Sequence, residues 1–213
     1  MSRLQLKQIT VGKWQENCYL LVCPETKDAA LIDPGDEFDE ITKMVARAKV
    51  GKILLTHTDI DHIGALDQAR VAYRAPVFVH PAELTRPSHP ELPRNPIKNT
   101  KPLRKGQTIH IGAHAITVHE VPGHTPGHVA FLLDDRAIVG DAIFPGGPGR
   151  THTPADLETA LYHLQRVVFR WSDRTKLYPG HGKPTTVGAE RDNFMRFIAK
   201  PRAADFCGDV SWS

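Results

Sequence analysis

The chain has 213 residues, of which 40% are hydrophobic and 24% charged, and a net charge of +3. A chain of this size buries roughly 70% of its unfolded surface, so its core needs no staples. Its ordinary composition excludes disorder, collagen and a disulfide scaffold. The basic excess is too diffuse to predict nucleic acid or a membrane surface as partner.

Leu4–Val11 alternates polar and apolar residues and predicts a strand rather than the apolar core of a signal peptide. Two short apolar runs follow at Asn17–Val22 and Ala29–Ile32, and Asp33-Pro34-Gly35-Asp36 is a breaker cluster. Apolar residues at 38, 41, 44, 45 and 48 predict a helix over Glu37–Ala48. Lys52–Leu55 reads as a buried strand, Ile63–Tyr73 as a helix and Val77–His80 as a strand. Residues 85–102 carry Pro87, Pro90, Pro93, Pro96 and Pro102 and read as a long irregular loop.

Strands are expected near Thr108–Ile111, Ala115–Val121, Val129–Leu133 and Ala137–Val139, followed by a glycine-rich loop. A helix is expected over Asp156–Phe169, a short strand at Leu177–Tyr178 and a closing helix over Val187–Ile198. Strands cluster in each half and each half ends in a helix. That grammar favours an α/β four-layer αββα sandwich of two mixed β-sheets with outer helices, as one domain over residues 1–213. No apolar run is long enough to span a bilayer. Cys18, Cys23 and Cys207 are odd in number and lack CxxC spacing. They read as free thiols of a reducing compartment, and the expected location is the cytoplasm.

Twelve histidines are unusual for this length. The densest group is His57-Thr58-Asp59-Ile60-Asp61-His62, directly after the apolar strand. In an extended tail, positions 57 and 59 point the same way. A tight turn can bring Asp61 and His62 to a neighbouring point, so one segment can serve two adjacent metals. Asp59 or Asp61 can also simply cap the next helix. His124 and His128 lie between two strands, Asp141 follows Val139-Gly140, and His181 stands between Gly180 and Gly182. All are placed just past strands. Imidazole and carboxylate without thiolate suit zinc, iron or manganese.

In that order, His57, Asp61, His62, His124, Asp141 and His181 resemble the HxHxDH…H…D…H ligand set of the metallo-β-lactamase superfamily. Asp33-Pro34-Gly35, Gly123 to His128, Gly140 to Phe144, Gly146 to Arg150 and Pro179 to Gly182 look most like glyoxalase II. Asn17-Cys18 resembles its short, single-domain bacterial members. Two departures stand out: Asp59 replaces the second histidine of HxHxDH, and the chain stops where full-length glyoxalase II continues into a glutathione-binding helical domain.

The resemblance implies one metal site of His57, position 59 and His124, a second of Asp61, His62 and His181, and Asp141 bridging them. Asp59 lowers the charge of the site by one against a histidine, which tilts it toward iron or manganese over zinc. Flavodiiron members of the superfamily likewise carry a carboxylate at this position and use iron. The alternative is that Asp59 is a lost ligand. The implied activity is that of a dinuclear hydrolase: a metal-bridging hydroxide, oriented by Asp61, attacks an activated acyl bond such as the thioester of S-lactoylglutathione. A lactonase or β-lactam hydrolase on the same metals and a mononuclear iron persulfide dioxygenase remain alternatives. Arg150 and Lys183 are candidate contacts to an anionic small-molecule substrate, and Arg86, Arg94 and Lys98 offer a loop that closes over it. His128 reads as a residue packed beside the metal ligands.

Overall fold

The computed structural model describes residues 2–87 and 96–212 of the chain. The first sheet is built from β1 (Gln5–Val11), β2 (Glu16–Val22), β3 (Asp28–Ile32), β4 (Lys49–Leu54), β5 (Val77–Val79) and β6 (Thr100–Pro102), in that spatial order. Its first two pairings are antiparallel and its last three parallel. Between these strands run α1 (Phe38–Val45), α2 (Ile60–Ile63), α3 (Leu66–Tyr73) and α4 (Pro81–Thr85).

The second sheet comprises β7 (Thr108–Ile111), β8 (His114–Glu120), β9 (Val129–Leu133), β10 (Arg136–Gly140), β13 (Lys176–Pro179) and β14 (Thr185–Thr186). Its order is β14-β13-β10-β9-β8-β7, with only β10 and β13 parallel. A small hairpin of β11 (Ile143–Phe144) and β12 (Gly147–Pro148) follows β10. The remaining helices are α5 (Pro154–Arg166) and α6 (Val187–Ile198), with a 3₁₀ turn at Val168–Arg170.

Alternation along the strands creates three apolar layers. In β2, which is buried throughout, Cys18, Leu20 and Val22 pack with Ile41 and Val45 of α1. The intervening Tyr19 and Leu21 pack with Ile116, Val118, Phe131 and Ile138 of the second sheet. The outer face of that sheet, with Ala130, Ala137 and Val139, is covered by Leu157, Leu161 and Leu164 of α5 and by Phe194 and Phe197 of α6. The result is the expected αββα order of two mixed sheets between helices. Among the described residues no helix is long and apolar enough to cross a membrane.

Several expected elements are redrawn. The helix expected over Ile63–Tyr73 starts only at Leu66, as α3, and a separate turn, α2, precedes it with a break between. The distant Asp33-Pro34-Gly35 turn packs into the break, where Ala65 donates its N–H to Pro34 O at 3.0 Å. A Cβ on Gly64 would lie 2.3 Å from Gly35 O, so the approach requires glycine. Helix α1 stops short of Ala48 because Ala46 has φ 50°. Helix α5 starts before Asp156, at Pro154, because Thr153 and Asp156 form a reciprocal capping box. The loop expected over 85–102 loses its ends to order: α4 reaches Thr85, and β6 adds a parallel edge strand. Arg94, Pro90 and Pro93 lie outside the described residues.

Candidate metal centre

Strand β4 delivers Leu55, Thr56 and His57 into the interior between the sheets, and His57 is fully buried. The chain then turns into α2, where the N–H of His62 donates to Asp59 O at 3.0 Å. That single turn carries Asp61 and His62 back toward His57. His124 lies between β8 and β9, Asp141 directly follows β10, and His181 follows β13. The C-terminal ends of β4, β10 and β13 and the loop between β8 and β9 thus place seven side chains at one edge of the two sheets.

Each of the four central imidazoles has its Nδ1 tied to an acceptor. His57 Nδ1 lies 3.0 Å from Thr56 Oγ1, His62 Nδ1 3.1 Å from Asp33 Oδ2, His124 Nδ1 2.7 Å from Arg150 O, and His181 Nδ1 3.0 Å from Trp14 O. The Thr56 hydroxyl donates to Asp33 Oδ2 at 2.6 Å, which leaves its lone pairs to accept from His57. With Nδ1 as the donor, every Nε2 presents its lone pair to the centre of the cluster. Holding metal-binding imidazoles through the opposite nitrogen is how proteins orient such ligands.

The Nε2 atoms converge on carboxylates. His57, His124 and Asp141 form one group, and Asp61, His62 and His181 a second, each with its donor atoms within 4.8 Å of one another. Asp141 lies between them: Oδ1 is 3.4 Å from His62 Nε2, while Oδ2 is 3.5 Å from His181 Nε2 and 3.8 Å from His124 Nε2. Asp61 Oδ2 is 3.1 Å from His181 Nε2. His57 Nε2, His62 Nε2 and Asp141 Oδ1 are buried without a hydrogen-bond partner. Buried polar atoms are almost always paired. Unpaired lone pairs aimed at one point, supplied by imidazole and carboxylate alone, fit two divalent cations of the zinc, iron or manganese kind.

The electrostatics agree with a cation site. Burial opposes charge on His62, His124 and His181, yet the neighbouring carboxylates (Asp141 and Asp33 for His62, Asp59 for His124, Asp61 for His181) hold all three above the ordinary imidazole value. Asp141, pushed up by burial and down more strongly by His62 and His124, falls to about 2. Burial and its charged neighbours keep His57 well below the ordinary value, hence neutral. His128, held to about 3 mainly by burial, stacks on His57 with ring centroids 4.8 Å apart and accepts the Asp141 N–H at Nε2, at 3.1 Å. It orients a carboxylate rather than joining the cluster.

Asp59 occupies the side of the first group. Its Oδ2 is 3.1 Å from His124 Nε2 and 3.7 Å from His57 Nε2, while Oδ1 accepts a hydrogen bond from Arg86 Nη2. Arg86 is therefore engaged beside the centre. A cavity of about 730 Å³ opens over both groups, lined by Asp59, Asp61, His124, Asp141 and His181 and walled by Trp14, Ile60, Pro87 and Pro126. Arg150 also lines it, with its side chain 65% exposed and 3.9 Å from Asp209. Lys183 is exposed and lies outside the cavity lining.

Sequence reasoning passed over Asp33, Thr56 and Glu83. Asp33 stood out only as part of a breaker cluster and of a glyoxalase-II-like motif, with no role attached. Glu83 is fully buried on α4, an unusual place for an acid. Its Oε2 accepts from the N–H and hydroxyl of Thr58, both at 2.9 Å, and from Arg86 Nε at 3.0 Å, while Oε1 accepts the Gly127 N–H at 2.9 Å. One carboxylate thus ties together the two loops that carry His57 and His124.

Two β-sheets packed between helices, with a histidine and aspartate cluster at their shared edge, define a metallohydrolase fold. The chain belongs to the metallo-beta-lactamase superfamily, whose family model matches residues 11–182. It is 28% identical over 204 residues to the hydroxyacylglutathione hydrolase GloC of Haemophilus influenzae, covering 88% of this chain and 95% of the relative. Among solved structures, TTHA1623 in a di-iron-bound form is 33% identical with a TM-score of 0.74, covering 87% of this chain and 96% of that one. ETHE1 from Myxococcus xanthus is 28% identical with a TM-score of 0.78, covering 92% and 86%.

Proposed function

We propose that the protein is a dinuclear metal-dependent hydrolase that cleaves an activated acyl bond, most specifically a thioester of the S-lactoylglutathione type. The observation that carries this reading is the pair of adjacent donor groups with Asp141 between them, each holding buried lone pairs that no protein atom satisfies. His57, Asp59 and His124 would hold one ion, Asp61, His62 and His181 the other, with Asp141 shared. When bound, divalent cations polarise a carbonyl and lower the pKa of water toward neutrality.

The protein's own groups do the rest. Nδ1 hydrogen bonds from the four imidazoles fix their orientation before substrate arrives. Asp61, at the cavity surface, orients the attacking water. A thiol with a pKa near 8.5 leaves as thiolate at neutral pH, so no dedicated general acid is required. Arg150 at the cavity wall supplies a cation for the carboxylates of a glutathione-type carrier. Likeness to GloC, a hydroxyacylglutathione hydrolase, supports the thioester over a lactone or β-lactam. The second donor group speaks against a mononuclear iron dioxygenase, in which Asp61, His62 and His181 would have no task.

The test is metal-counted protein assayed on S-lactoylglutathione, a homoserine lactone, nitrocefin and glutathione persulfide with oxygen monitoring. Two metals per chain and thioester turnover are expected. Oxygen uptake on persulfide without thioester hydrolysis overturns the reading.

A further inference from the structure

Position 59 is the one place where this chain departs from the histidine-rich donor set, and Arg86 is the residue the fold sets against it. The two oxygens of Asp59 are divided: Oδ2 faces His124 and His57 at 3.1 and 3.7 Å, and Oδ1 faces away, onto the Arg86 guanidinium. The guanidinium is itself fixed, since its Nε donates to the buried Glu83 at 3.0 Å, and only 17% of its side chain is exposed. Glu83 in turn holds Thr58 and Gly127, so Arg86 is anchored to the same frame as His57 and His124.

We infer that Arg86 is a positioning residue that sets the metal preference of the first site by engaging the outer oxygen of Asp59. This rests on the dinuclear reading above. The consequence is chemical. A carboxylate with one oxygen held by a guanidinium offers the metal a single oxygen and a reduced charge, much as a neutral imidazole offers a single nitrogen. Freed of that contact, Asp59 would offer both oxygens and its full charge, which favours hard cations. Counting Asp59 alone therefore overstates the shift toward iron and manganese: Arg86 moderates it, and the pair stands in for the missing histidine.

The experiment compares manganese and zinc binding to metal-stripped full-length protein by competition with a chelating dye, with thermal melting as a fold control. Arg86→Gln is expected to raise the ratio of manganese to zinc affinity at one of two sites by about tenfold, the scale on which contacts behind a ligand act. Arg86→Lys, which keeps charge but loses the fork, is expected to fall between and serves if the glutamine variant does not fold. In an Asp59→Asn background the Arg86→Gln effect on the ratio is expected to vanish. A ratio unchanged within twofold, or shifted equally with and without Asp59→Asn, overturns the inference. His57→Ala separates the two hypotheses: if unmodified protein binds two ions and this variant one, the dinuclear reading stands whatever Arg86 does.

Discussion

Asp33 Oδ2 lies 3.1 Å from His62 Nδ1, and both side chains are buried. The same carboxylate accepts the Thr56 N–H at 2.8 Å and the Thr56 hydroxyl at 2.6 Å, and that hydroxyl meets His57 Nδ1. A single acid from the turn after β3 thus orients one imidazole in each of the two donor groups.

Asp33→Asn keeps the shape but can no longer accept all these hydrogen bonds. Losing such an orienting partner typically costs 10–100-fold in metal affinity, and about that loss is expected here. Asp33→Ala goes further, leaving the Thr56 N–H buried and unpaired, at about 1–3 kcal/mol in stability. Chelator competition measures the first effect and denaturant unfolding the second. Unchanged affinity in the asparagine variant would show that Asp33 serves only the fold.

Asp141 is the only carboxylate among the described residues within 4 Å of His62, His124 and His181 together. Asp141→Ala is therefore expected to lower occupancy at both sites, whereas His57→Ala lowers it at one. Elemental analysis after dialysis against a fixed free-metal level distinguishes the two. Equal losses from both variants would argue against a shared ligand.

Gly180 gives a purely steric test. An added Cβ would lie 2.0 Å from Asp141 Oδ1 and 2.6 Å from the His62 ring. Its backbone is otherwise ordinary, with its N–H donating to Gly140 O at 2.9 Å. Gly180→Ala should displace Asp141 and cut metal content while the far-ultraviolet circular dichroism stays native. Full metal occupancy in this variant would mean the carboxylate is not where its function requires.

What was legible in the sequence followed from local rules. Strand ends carry the donors, so His57, His124, Asp141 and His181 could be picked out by position after apolar runs, and the apolar run Asn17–Val22 could be read as a strand. What was not legible depends on distant chain segments. The break between α2 and α3 is imposed by the turn at Asp33-Pro34-Gly35, about thirty residues earlier, and no periodicity records it. The acceptors that orient His124 and His181 are backbone carbonyls of Arg150 and Trp14, which leave no side-chain signature. Arg86 read only as one of the basic residues of a proline-rich loop that could close over an anionic substrate. Its role emerges only when α4 sets Glu83 beneath Thr58 and Gly127.

The pH dependence of metal retention follows from the sign of the imidazole shifts. His62, His124 and His181 are held above the ordinary value, so in the absence of metal they take up protons at higher pH than free imidazole, near 6.5. Binding a cation requires these nitrogens unprotonated, so protons compete and the metal is released as pH falls. His57 and His128 are held neutral by burial and add little to this competition. Metal that binds only the folded chain raises stability by RT ln(1 + [metal]/Kd), so weaker binding at lower pH means less stabilisation at the same free metal. The difference in melting temperature between metal-loaded and chelated protein should therefore be largest near pH 8 and shrink toward pH 5.5, with the decline beginning above 6.5. Differential scanning calorimetry at fixed free metal measures it. A gap constant across that range would mean that these imidazoles do not exchange protons for metal, and the ligand assignment would have to be given up.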